Sequence, residues 1–219
     1  MNKSLKTRKQ EVVRDAIYVA AINLFARNGF NETRIDQVAE AAGISQRSFF
    51  RYFATKGDLL GYSIVNYGDV LVSAVAACPA ELHPLEVIRQ AASAGTEFAM
   101  SQPQTRQIIE ITATNFAARQ AHRGGMVDVE NRLSEAFAER TKNASKYSLE
   151  PRMLAILTLM VVDLTLSSWF IGEAKDCSTA SRNVFGKLAR LFCENSTGTY
   201  AGSAKSTQRK RSRRQLVAR

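Results

Sequence analysis

Four prolines, twelve glycines, three cysteines and two histidines are few for 219 residues, and each scarcity excludes something. Little proline and glycine, abundant alanine and few β-branched runs at strand period leave an all-helical chain. Cys78, Cys177 and Cys193 are too scattered for a disulfide framework or a zinc site. They are expected as ordinary thiols in a reducing, cytoplasmic setting. His83 and His122 fall in stretches that read as breaks between helices and are expected in solvated loops. With no phosphate-binding Gly loop, nucleophile elbow or Asp/Glu/His cluster at metal spacing, neither an enzyme nor a cofactor is expected. No apolar run follows the first basic residues, so no signal peptide is expected. The one run of near-membrane length, Met153 to Ile171, contains Asp163 and several hydroxyls. It reads as a helix buried in a core and a subunit interface, not as a span.

What is present is positive charge, unevenly placed. Residues 1–60 hold ten Lys/Arg against six Asp/Glu, residues 61–194 thirteen against fourteen, and residues 195–219 seven with no acid. A basic excess confined to the two ends suggests a polyanion that meets the ends rather than the whole surface.

Apolar spacing predicts a first helix over 7–28, its buried side made by Val12, Val13, Ala16, Ile17, Ala20, Ala21, Leu24 and Phe25. "NGF" (28–30) has the Gly and following apolar residue that a Schellman ending wants. Thr33 and Asp36 read as a capping box for a short second helix that Gly43 ends, with Ile35, Val38, Ala39 and Ala42 inward. Ser45 caps a third helix to about Phe53, and Thr55 with Asp58 opens a fourth toward Ala77. Longer amphipathic helices are expected over 85–101, 104–120, 126–145, 151–174 and 179–195, separated by "CPAELHP", "SQP", "HRGG", "SKYSLEP" and "KDCS". The polar, basic stretch 196–219 is expected to be disordered.

Two short helices joined through Gly43 read as a helix-turn-helix, whose second helix enters a DNA major groove. Phe49 and Phe53 share one face of the third helix. Arg47 and Arg51 lie opposite, flanked by Gln46, Ser48 and Phe50. Arg suits the O6/N7 edge of guanine and Gln the N6/N7 edge of adenine. Thr33, Tyr52 and Lys56 fall where donors hold phosphates, and the starts of the second and fourth helices add their own N–H groups.

The residues 24–60, "LFARNGFNETRIDQVAEAAGISQRSFFRYFATKGDLL", resemble the DNA-binding domain of the tetracycline-repressor (TetR) family of bacterial transcription regulators. The resemblance covers residues 8–60 and implies a dimer on a near-palindromic double-stranded operator, with a larger domain whose effector releases the DNA. It places DNA contacts on Thr33, Arg34, Ser45, Gln46, Arg47, Ser48, Phe50, Tyr52 and Lys56. Phe50 stands where the family usually has Tyr, whose hydroxyl holds a phosphate. Gly57 replaces a better helix former.

Three parts are therefore expected: a helix-turn-helix domain over 1–55, a helical ligand-binding and dimerisation domain over 56–195, and the basic tail. On the resemblance, helices 151–174 and 179–195 build the homodimer. Phe98, Ile109, Thr112, Asn115, Phe116, Met160 and Trp169 combine apolar surface with hydrogen-bonding groups and are the candidate ligand contacts. The stretch from Arg132 through "WFIGEAK" to "FGKLARLF" resembles the family's acyl-CoA-like-ligand branch, which implies a small apolar, acyl-type effector. The tail adds phosphate contacts or is dispensable, and lacks the apolar face that would hold it to a membrane. The alternative function is a DNA-organising or scaffolding protein of the same fold that senses no small molecule.

Overall fold

Helical periodicity without strand signals becomes, among the described residues, ten helices and no strand. The computed structural model describes residues 5–62, 64–140 and 147–193, apart from the side chains of Lys6, Ala189, Phe192 and Cys193. The basic tail and its expected disorder lie outside the described residues, as do 141–146 at the end of one expected helix.

Helix α1 spans Leu5–Asn28, and its buried side is Ile17, Tyr18, Ala21, Ile22 and Phe25. Val12 and Ala16 are exposed, against expectation. Gly29 ends α1 at φ +94°, as "NGF" foretold. The recorded bond, Gly29 N–H to Phe25 O at 3.0 Å, is that of the simpler αL ending. The full Schellman pair occurs after α2 (Ile35–Ala41), where Gly43 at φ +68° donates to Glu40 O and Ile44 donates to Ala39 O.

Thr33 does not cap α2. The cap is Arg34, whose backbone N–H is bound by the Gln37 side chain at 2.9 Å. Helix α3 (Gln46–Tyr52) starts at Ser45, whose Oγ accepts from Ser48 N–H at 3.2 Å. The Thr55–Asp58 box forms in both directions, 2.9 Å from Thr55 N–H to the carboxylate and 3.3 Å back. It opens α4 (Asp58–Tyr62), and α5 (Ile64–Ala77) follows beyond Ser63, which lies outside the described residues.

Next come α6 (Pro84–Ser101), α7 (Thr105–Thr114), α8 (Phe116–Arg140), α9 (Leu149–Phe170) and α10 (Cys177–Cys193). The break expected at "HRGG" falls instead at Asn115, whose side chain accepts from Ala118 N–H at 2.9 Å. His122, Gly124 and Gly125 are therefore inside α8. A Cβ on Gly125 would sit 3.1 Å from Gly61 Cα and 2.9 Å from Ile64 Cδ1. The two glycines let α4 and α8 cross almost backbone to backbone, and that contact replaces what glycine loses in helix propensity.

Helices α5, α6, α9 and α8 pack in a ring, each on the next. By length and composition α9 and the run Asp58–Ala77 are apolar enough to cross a membrane. Both pack along one side on neighbouring helices of this ring. Residues Met1–Ser181 make one unit and residues from Arg182 a second. In the first, the apolar cluster around Phe25, Phe49 and Phe53 extends past residue 55 to Leu59, Leu60, Ile111 and Ala118.

Candidate nucleic-acid interface

The third helix has two faces because its aromatic residues are four apart. Phe49 and Phe53 are buried, 5.9 Å between ring centroids, and Phe49 also meets Phe50 edge-on. The opposite face presents Gln46, Arg47, Phe50 and Arg51 to solvent, at i, i+1, i+4 and i+5. Arg51 lies over the Tyr52 ring at 5.1 Å. Ser48 is half-buried and its Oγ accepts from Ser45 Oγ at 3.1 Å, which ties both serines to the helix start. Phe50 is half exposed, so an apolar ring stands among the polar groups of the reading face.

The expected phosphate contacts are placed differently. Thr33 is buried, and its hydroxyl donates to Gly29 O at 2.7 Å and Leu24 O at 3.3 Å. Arg34 is exposed but forks onto Asp36, whose carboxyl it holds below the usual range. Asp36 and Asp58 bring carboxylates to the starts of α2 and α4, where free N–H groups were expected. Lys56 reaches back 26 residues: its ammonium donates to the carbonyls of Phe30, Asn31 (3.1 Å) and Thr33 (2.9 Å), over the Phe30 ring at 4.7 Å. Burial lowers its pKa from the ordinary lysine value, against a pull from Glu32. All three ammonium protons are committed to the loop between α1 and α2.

Lys56→Met is therefore expected to cost about 1–3 kcal/mol of stability, less than three full charge-assisted bonds because the site is half exposed. It should leave the salt dependence of DNA binding unchanged. Parallel melting and salt titrations check this. A slope flatter by about one unit per subunit would return Lys56 to the phosphate contacts.

The candidate ligand residues differ in exposure. Phe116 is 72% exposed and Met160 is exposed. Phe98, Ile109, Thr112 and Trp169 are half-buried, with the Thr112 hydroxyl bound to Ile108 O. Asn115 borders a small cleft of about 170 Å3 beside Phe25, Phe30 and Ile111. His83 does lie in a loop, capping α6 through Nδ1. His122 does not: it is half-buried in α8, and burial lowers its pKa against the opposing pull of Asp163 on α9.

Sequence reading missed two features here. Thr96 on α6 is buried with no partner for its hydroxyl among the described residues. A cleft of about 930 Å3 opens between α1, the end of α3, α4 and α8. A lone Thr and a Gly-Gly pair give no signal of either without the packing.

Comparison with known proteins agrees with this architecture. Residues 17–62 match the family model described as bacterial regulatory proteins, tetR family. Over 188 residues, 81% of this chain and 81% of the relative, the sequence is 24% identical to the HTH-type transcriptional regulator TcmR of Streptomyces glaucescens. Two solved structures share the fold. NalD, the secondary repressor of the MexAB-OprM multidrug efflux pump in Pseudomonas aeruginosa, superposes with TM-score 0.60 at 18% identity, over 82% of this chain and 96% of that one. The fatty acid degradation regulator FadR of Bacillus halodurans gives 0.57 at 17%, over 86% and 96%. A helix-turn-helix head on a helical domain, with its third helix exposed for reading, defines a DNA-binding transcriptional regulator. The match to the tetR family lies in this head, residues 17–62.

Proposed function

We propose that the protein is a ligand-responsive repressor that binds a near-palindromic operator as a homodimer, each subunit laying residues 46–53 in a major groove. The observation that carries this reading is the division of α3: Phe49 and Phe53 anchor it while Gln46, Arg47, Phe50 and Arg51 face outward together. Arg47 and Gln46 read base edges, and Phe50 takes the apolar contact with a thymine methyl.

The dimer is supported by α9, a mostly apolar helix on which Met153, Ile156, Met160 and Leu164 stay exposed in one stripe. A surface of this kind is covered by a partner. The proposed interface is α9 with α10. Effector binding is supported by Thr96 of α6, a buried hydroxyl with no partner among the described residues, in a helical ring whose buried side chains include Leu71, Ile88, Leu133 and Val161. Such an interior suits a small, largely apolar molecule, of acyl type, with one hydrogen-bonding group.

The test is selection from pooled random-sequence duplexes at near-physiological salt. An enriched inverted repeat is expected. Retention without enrichment would overturn sequence reading.

A further inference from the structure

We infer that Tyr52 is a positioning residue for Arg51, and that the pair reads a second guanine in each half-site. The inference rests on the base-reading role of α3 proposed above, and it gives a task to the outward arginine that had none there. The two arginines of the reading face differ in what holds them. Arg47 has no partner among the described residues. Arg51 has two contacts, both with its neighbour in the chain. Its guanidinium lies over the Tyr52 ring, 5.1 Å from the centroid, and Nη2 donates to the Tyr52 hydroxyl at 3.4 Å.

The platform is itself held. Tyr52 is half-buried in the last turn of α3, just before the buried Phe53. Arg14 of α1 donates to the Tyr52 carbonyl at 3.4 Å, with its own guanidinium 5.8 Å from the centroid of the Phe53 ring. A guanidinium laid flat on a fixed ring keeps few of the rotamers open to a free arginine, so less freedom is lost on binding. Stacking uses its face and the hydroxyl takes one N–H. The other N–H groups stay available along the edge for O6 and N7 of guanine.

Arg47 and Arg51 are four residues apart on one face. That is about 6 Å along the helix axis, or roughly two base-pair steps. Each half-site should therefore carry two guanine positions about two base pairs apart.

The test is a double-mutant cycle on the selected operator, with random duplex as the measure of general affinity. Tyr52→Leu should weaken operator binding about threefold per half-site, and add nothing once Arg51 is replaced by alanine. In an Arg47→Ala background its effect should persist undiminished. Arg51→Lys should lose as much as Arg51→Ala, because an ammonium keeps the charge but not the planar fork. Tyr52→Phe keeps the ring and should stay within about twofold of the parent. Arg51→Lys and Tyr52→Phe alter exposed or half-buried groups conservatively, so both should fold and leave random-duplex binding unchanged.

Rescue by Arg51→Lys would make Arg51 a phosphate contact. Equal losses of Tyr52→Phe on both duplexes would put the Tyr52 hydroxyl on a phosphate. Additive losses of Arg51→Ala and Tyr52→Leu would separate the pair, and a half-site with a single guanine position would leave Arg51 nothing to read. Each of these overturns the inference and leaves the operator reading standing. Selection that enriches no repeat would overturn that reading, and this inference with it.

Discussion

Arg47→Ala is expected to weaken binding to the selected operator by about 1–3 kcal/mol per half-site, while affinity for random duplex falls far less. Two half-sites double the loss in the dimer proposed above. The expectation rests on placement: Arg47 projects from the first turn of α3, exposed, beside Gln46 and away from the buried Phe49. Competition binding against operator and scrambled duplex at one salt concentration measures it. Equal losses on both would make Arg47 a phosphate contact and move base reading to Gln46, Phe50 and Arg51.

Neighbouring glycines in α8 should respond with opposite signs. Gly125→Val drives branched methyls toward Gly61 Cα, a backbone atom that cannot move aside, and toward Ile64 Cδ1. Overpacking of this kind costs about 3 kcal/mol at the upper end of its usual range. For a chain of this size that is a fall in Tm of roughly 6–12 °C. Gly124→Ala meets nothing within 4 Å. It should gain about 0.5–1 kcal/mol through helix propensity and a less flexible unfolded chain. Thermal melts of the two variants decide the matter. Similar shifts would mean that α4 and α8 do not cross at these glycines.

The head was legible because its signals are local. Gly43 must take positive φ, Ser45 caps over three residues, and Phe49 and Phe53 recur at helical spacing, so each is readable within one turn of chain. What was not legible depends on distant partners. Lys56 looked like a surface cation until the loop 25 residues before it supplied three carbonyls. Thr33 had the residue type of a helix cap but spends its hydroxyl on the end of α1. Gly124 and Gly125 carry a break signal by composition, overruled by the close approach of Gly61. The candidate ligand residues were chosen by type alone, and type does not say which side of a helix turns inward. Phe116, in the first turn of α8, turned outward.

The apolar cluster that passes from Phe25 and Phe49 into Ile111 and Ala118 bears on protein engineering. A fragment cut after α4 would leave the α1 side of that cluster open to water, so the reading head is not a cassette that can be expressed alone. A chimera that transplants this head onto a relative's sensing domain must also carry the inward residues of α7 and the first turns of α8. The boundary that matters for such a graft runs across helix faces in space, not between two adjacent positions in the chain.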